Sequence, residues 1–181
     1  GVATVSSTSR SAPRGAGATM ALHENGEVIG SVSGGCVEGA VVEVATEVLA
    51  TGQPQSVTYG ISDDDAFAVG LTCGGTIEVF VRAVTPDVLD LQDLQARIDA
   101  EEPVAVATIV AHASDEALVG RSLVVHDDGV DGHLGDPELE RAVIEGAQGM
   151  LAQGDTGMRH YGERGQRRMD DVSVLIESFA P

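Results

Sequence analysis

The chain has 181 residues, 29 acidic and 10 basic side chains, and a formal net charge of −19; every basic residue is an arginine. A surface this negative argues against nucleic-acid and anionic-membrane partners, because neutralising phosphates needs a basic patch. A hydrophobic content of 43% excludes wholesale disorder, no apolar run approaches the roughly 20 residues of a membrane span, and two cysteines are too few for a disulfide framework, which points to a reducing cytoplasm.

The first predicted element is a β-branched strand over 2–8. A hairpin follows, with its turn at Asn25-Gly26, a pair that tolerates positive φ. Val37, Ala40, Val41, Val44, Ala45, Val48 and Leu49 recur at helical spacing and predict an amphipathic helix stopped by Gly52. Strands are expected at about 55–60 and 76–84, then a connecting helix over 87–100 carrying Val88, Leu89, Leu91, Leu94 and Ile98. The order then repeats: a strand over 104–112 and a hairpin turning at Asp128-Gly129. A helix capped by Asp136-Pro137 and ended by Gly154 comes next, then strands at 157–161 and 171–179.

The repetition extends to individual residues. Gly30, Glu38, Val41, Glu43, Ala45, Gly52, Tyr59 and Gly60 match Gly132, Glu140, Val143, Glu145, Ala147, Gly154, Tyr161 and Gly162 at a constant offset of 102. We read the chain as an internal duplication, with copy one at 1–86, a linker helix at 87–102 and copy two at 103–181. The expected fold class is α/β: a mixed β-sheet with covering helices, built from two duplicated ββαβ-like units that share a core.

A duplication is its own control, because what the fold demands should be kept in both copies. Three stretches occur in copy one alone. The first is Ser11-Ala12-Pro13-Arg14-Gly15-Ala16-Gly17, where glycines let a backbone approach a ligand and Arg14 offers a fork to phosphate or carboxylate. It lacks the third glycine and the following acid of a dinucleotide fingerprint. The second is Ser33-Gly34-Gly35-Cys36 at a helix start, where unpaired N–H groups favour anions and thiolates. The third is Gly70-Leu71-Thr72-Cys73-Gly74-Gly75-Thr76, in the segment that copy two shortens. A flexible turn with solvated arginines and a small buried cysteine are the structural alternatives for the first two, whereas a cysteine flanked by glycines on a loop has little reason to exist as packing. His23 and His126 occupy equivalent turn positions and are read as serving the fold, as are Tyr59 and Tyr161; Asp63-Asp64-Asp65 is read as a solvated loop.

In order and spacing, SAPRGAGATM, GSVSGGCVE and GLTCGGTIEV, with the later Gly132-x-x-Gly135-Asp136-Pro137-Glu138-Leu139 step and the Phe-Ala-Pro ending, resemble the XdhC/CoxI family. These are accessory factors for xanthine dehydrogenase and carbon monoxide dehydrogenase, and the resemblance spans essentially the whole chain. In that family this ending leads into a C-terminal Rossmann-like domain, and together with an opening that lacks methionine this makes a fragment the expectation. The resemblance implies a cytoplasmic chaperone that binds the molybdenum cofactor (molybdopterin) transiently. It would protect the cofactor, support its sulfuration with a cysteine desulfurase, and insert it into apo xanthine dehydrogenase or a related molybdenum hydroxylase. Cys73 and then Cys36 are the implied cofactor-binding cysteines, with Cys73 the candidate molybdenum contact. Chemistry adds Arg14, Ser11, Gly34, Gly35, Gly74 and Gly75 as a candidate cradle. Catalytic residues are not assigned; a name such as xanthine dehydrogenase would attach by association, since its two [2Fe–2S] clusters would demand eight cysteines. A homodimer stays open. The alternatives are a thiol-dependent sulfur- or phosphate-transfer enzyme using Cys73, for which no base is evident in the copy-one loops, and an acidic docking module without cofactor.

Overall fold

Alternating apolar residues build the first of two units, Gly1–Val84, the second being Thr85–Pro181. The computed structural model describes residues 1–9, 15–60 and 75–181. In the first unit β1 (Val2–Ser9) sends Ala3 and Val5 to the core. It pairs with β2 (Thr19–Leu22), which in turn pairs with β3 (Val28–Gly30). The connecting loop turns where expected, with Gly26 at φ 92° and its N–H donating to His23 O at 2.9 Å. Helix α1 (Glu38–Thr51) presents Val41, Ala45 and Val48 to the sheet and stops at Gly52, whose φ of 71° is left-handed. β4 (Gln55–Gly60) and β5 (Thr76–Arg82) complete a five-stranded sheet in the order β3-β2-β1-β5-β4.

The second unit opens with α2 (Leu91–Asp99), whose first N–H groups, those of Gln92 and Asp93, bond the Asp90 carboxylate at 3.0 Å. β6 (Val104–His112), β7 (Ser122–His126), β8 (Gly129–Gly132), α3 (Pro137–Gln153), β9 (Gly157–Tyr161) and β10 (Val172–Phe179) follow, with a 3-10 turn at Glu116–Leu118. The second sheet has the order β8-β7-β6-β10-β9. Its first hairpin turns at Asp127-Asp128, because His126 pairs with Gly129, one residue earlier than the sequence suggested.

The α/β class with covering helices holds, and the strand pairing is simpler than expected. Every described pair in both sheets is antiparallel, where a mixed sheet was anticipated. The reason is where the crossover lands. α1 joins β3 to β4, which run in the same direction but form opposite edges of the sheet, so no parallel neighbours arise. Each unit carries a helix-packed cluster of its own. Val41, Ala45 and Val48 pack with Ala3, Val5, Met20 and Val79 in one cluster. Leu139, Val143, Ala147 and Met150 pack with Ala107, Ile109, Leu123 and Val174 in another. One long helix covers one face of each antiparallel sheet. On the opposite face of the second sheet, Leu94 and Arg97 of α2 share a cavity wall with Ser122 and Val124. Val104 to Val110 are all buried, so this strand is covered on both faces.

One glycine pair is fixed by close approach. A Cβ on Gly30 (φ 86°) would lie 2.3 Å from Thr19 O, and one on Gly132 (φ 94°) would lie 2.3 Å from Ser122 O. Among the described residues no helix is long and apolar enough to cross a membrane.

Candidate functional site

Strand direction brings the described flanks of the three predicted stretches to one edge of the first sheet. β1, β3 and β4 run the same way, so their C-terminal ends share an edge with the starts of β2 and β5. There Ser9 pairs with Thr76, and Thr76 pairs with Gly60. The segment after Ser9 returns at Gly15–Gly17, where Gly17 N–H donates to Val5 O at 2.9 Å. The segment after Gly60 returns at the buried Gly75. A side chain on Gly60 would collide with Thr76 Oγ1 at 2.6 Å and Gly75 O at 3.0 Å, so the two ends of that segment are held together. The loop carrying Cys36 leaves Gly30, the last residue of β3, from the same edge.

Of the predicted site residues, Ser11, Arg14, Cys73 and Gly74 lie outside the described residues, as does the Asp63–Asp65 run. Cys36, Gly34, Gly35 and Gly75 are described. Gly34 and Gly35 are exposed, at φ 73° and 115°, and side-chain atoms there would meet nothing within 4 Å. Gly39 is exposed with equally open space, in the first turn of α1. Cys36 is half-buried and packs against the α1 core, with these bare backbone positions around it.

Glu38, the first residue of α1, organises this loop, a role that sequence reasoning did not assign. Its Oε1 accepts from Ser31 Oγ at 2.7 Å, Ser33 N at 2.9 Å and Val32 N at 3.2 Å. Its Oε2 accepts from Ser33 Oγ at 2.6 Å and Gly35 N at 2.9 Å. Burial alone would push the carboxyl upward, but the hydrogen bonds from Ser31 and Ser33 win and bring its pKa down to about 2. The carboxylate therefore stays ionised beside Cys36. It takes loop amides that an anion would otherwise use, and the Gly34 amide is committed to Ser31 Oγ at 2.8 Å. The signal was present in the sequence: Glu140, its match, accepts from Leu134 N at 2.8 Å and so pins the equivalent buried position to Val32.

The two histidines at matched positions bond within their hairpins. His23 Nδ1 accepts from Asn25 N at 3.2 Å, and His126 Nε2 meets Asp131 Oδ2 at 2.9 Å. Among the described residues no group of three or more His, Cys, Asp or Glu is arranged to hold a metal ion.

The XdhC and CoxI family model matches residues 1–60 and 97–162. The match contains Ser11, Arg14, Gly34, Gly35 and Cys36, and it leaves out the segment with Cys73, Gly74 and Gly75. The molybdenum cofactor insertion chaperone PaoD of Escherichia coli is 36% identical over 89 residues, which is 48% of this chain and 28% of that protein. The uncharacterized protein YqeB of the same organism is 33% identical over 64 residues, 35% of this chain and 12% of that protein. A crystal structure described as a xanthine dehydrogenase from Bacillus halodurans superposes with a TM-score of 0.63 at 22% identity, covering 99% of this chain and 48% of that one. At that identity the likeness is one of fold, and the aligned part is less than half of each of these proteins.

Proposed function

The chain belongs to the XdhC and CoxI family, and on that premise we propose that it is an accessory unit that handles the molybdenum cofactor on behalf of a molybdenum enzyme. The observation that carries this reading is the shared edge of the first sheet, where the described flanks of the three stretches meet. The similarity to a molybdenum cofactor insertion chaperone supports the same reading.

The donor set fits one end of the cofactor better than the other. When bound, the cofactor supplies a soft metal–sulfur centre, for which thiolates are better partners than carboxylates. Cys36, beside the open backbone of Gly34, Gly35 and Gly39, and Cys73 from the neighbouring segment would hold that end. The phosphate end does not fit the 33–35 amides, because Glu38 and Ser31 already occupy them. Ser11 and Arg14 would meet the phosphate instead, with Gly74 and Gly75 leaving the segment around Cys73 clear. Gly34 and Gly35 then serve by leaving room rather than by donating.

In this reading the cofactor is held transiently, sulfurated with a cysteine desulfurase, and passed to an apo xanthine dehydrogenase or a related hydroxylase in the cytoplasm. The identical strand orders of the two sheets support an internal duplication in which the first copy acquired the site and the second kept an ordinary helix cap at Asp136. The test is anaerobic mixing with molybdenum cofactor, followed by molybdenum analysis and oxidised-pterin fluorescence on the protein peak. Near-stoichiometric pterin on the wild type and little on Cys73→Ala, with unchanged circular dichroism, is the expected result. Wild-type protein that emerges without pterin would overturn the assignment.

A further inference from the structure

Four of the ten arginines of this acidic chain fall within ten positions, Arg159, Arg164, Arg167 and Arg168. Arg159, Arg167 and Arg168 line a cavity of about 310 Å³ in the second unit, together with one acid, Glu145, and with Tyr161 and Gly146. Among the described residues no carboxylate lies within 4.0 Å of Arg159, Arg164 or Arg168, and Arg167 reaches Glu145 only at 3.9 Å. The neighbouring Glu163 is engaged by the Ser114 hydroxyl.

The cluster is held in place by its loop. Gly162 N–H donates to Gln166 O at 2.8 Å, Gly165 N–H to Gly162 O at 2.9 Å, and Arg164 N–H to Gln166 Oε1 at 3.0 Å. Gly165, at φ 80°, lies so close to α3 that a Cβ would come within 2.8 Å of Glu138 O and Ala142 Cβ. Arg168 itself adopts φ 62°, a left-handed conformation that disfavours a long side chain. The fold does not ask for these charges. β4, the corresponding edge strand of the first unit, carries Val57 where β9 carries Arg159, and the sequence following it has three aspartates and no arginine.

We propose that this cavity is a binding site for a phosphate-bearing small anion, separate from the edge assigned to the molybdenum cofactor. Guanidinium forks match phosphate oxygens two at a time. At physiological ionic strength charge acts over about 8 Å, so the local cluster, rather than the net charge of the molecule, sets the field in the cavity. A small dianion is also repelled less by the acidic remainder of the surface than an acidic protein would be.

The experiment is a titration of the purified protein with inorganic phosphate, followed by amide chemical shifts, against sodium chloride at matched ionic strength. Saturable shifts confined to residues around 142–146 and 157–168 are expected. The apparent Kd should rise at least ~10-fold in R159A/R167A/R168A, whose circular dichroism stays native, and less in the lysine versions, which keep charge but lose the fork. Shifts that chloride reproduces, or that persist in the triple alanine variant, would overturn the site. Failure with phosphate alongside saturable binding of an acidic peptide to the same residues would also overturn it, in favour of a protein-docking surface.

Discussion

Ser33 and Glu38 hold each other. The Ser33 hydroxyl donates to Glu38 Oε2 at 2.6 Å, the Ser33 N–H donates to Oε1 at 2.9 Å, and the same hydroxyl accepts from Val37 N–H at 2.9 Å. Val37 precedes the helix with no side-chain cap of its own. The reciprocal pair thus replaces a conventional N-cap with a carboxylate folded back over the loop, and in doing so gives the Cys36 segment its shape.

That arrangement has a pH signature. The Glu38 carboxyl falls from an ordinary 4.5 to about 2 on folding. A depressed acid contributes stability that is fully present above about pH 4.5 and is lost as pH falls through about 2. Glu38→Gln should therefore show less acid-dependent loss of stability than the wild type over that window, while being less stable than it near neutrality. Losing a helix-start acceptor costs about 1 kcal/mol, typically between 0.5 and 2. Parallel denaturation curves for the two proteins from neutral pH to about 2 check it; curves of identical pH dependence would mean that the carboxylate is not so engaged.

The glycines separate into two kinds with different expected outcomes. At Gly30 and Gly132 a methyl group would meet a carbonyl oxygen at 2.3 Å, so Gly30→Ala and Gly132→Ala must displace a strand. Each should cost more than about 2 kcal/mol, in the range of strained backbone combined with overpacking. Gly34→Ala and Gly35→Ala face open space and should cost only about 1–2 kcal/mol of left-handed strain. Thermal denaturation of the four variants ranks them, and equal losses would refute the distinction. Because the second pair keeps the fold, it can also report whether an open backbone beside Cys36 matters for pterin retention.

Most elements were legible from periodicity and turn chemistry. The 3.6-residue spacing of Val41, Ala45 and Val48, the glycine stops at Gly52 and Gly154, and the Asp136-Pro137 start all reappear in the structure. Pairing was less legible, because a crossover helix of given length does not say whether the returning strand lands beside its predecessor or at the far edge. At the site, the repeat pointed to Cys36 and its glycines, but Glu38 looked like an ordinary acidic residue in a first helical turn. Only the folded loop reveals five donors converging on it. Arg159, Arg167 and Arg168 were visible as letters, but their convergence on one cavity depends on the docking of Gly165 against α3.

Cys36 separates packing from chemistry. It is half-buried against the α1 core, and serine is close to it in size. Cys36→Ser should shift Tm by no more than about 4 °C, the shift that roughly 1 kcal/mol produces in a domain of this size. Pterin retention should fall by clearly more than any loss of folded protein accounts for. Measuring both on the same preparation decides: retention that tracks stability would reduce Cys36 to a packing residue.

The two matched tyrosines make the last test. Tyr161 sits over α3, where its hydroxyl would lie 2.5 Å from a Cβ on Gly146, so that glycine makes room for it. Tyr59 lacks the equivalent gap, since Val44 stands there, and its hydroxyl is buried without a hydrogen-bond partner among the described residues. Burial, and then the nearby Glu43 charge, hold its pKa above the ordinary 10.0. A buried hydroxyl left unpaired costs about 1–3 kcal/mol, so Tyr59→Phe should leave Tm unchanged or raise it, whereas Gly146→Ala should lower it. The variant should also lose less stability in alkali. An acid whose pKa is raised by folding is ionised first in the unfolded chain, which drains stability as pH climbs past 10.0. A fall in Tm for Tyr59→Phe at neutral pH would mean that the hydroxyl is bonded after all.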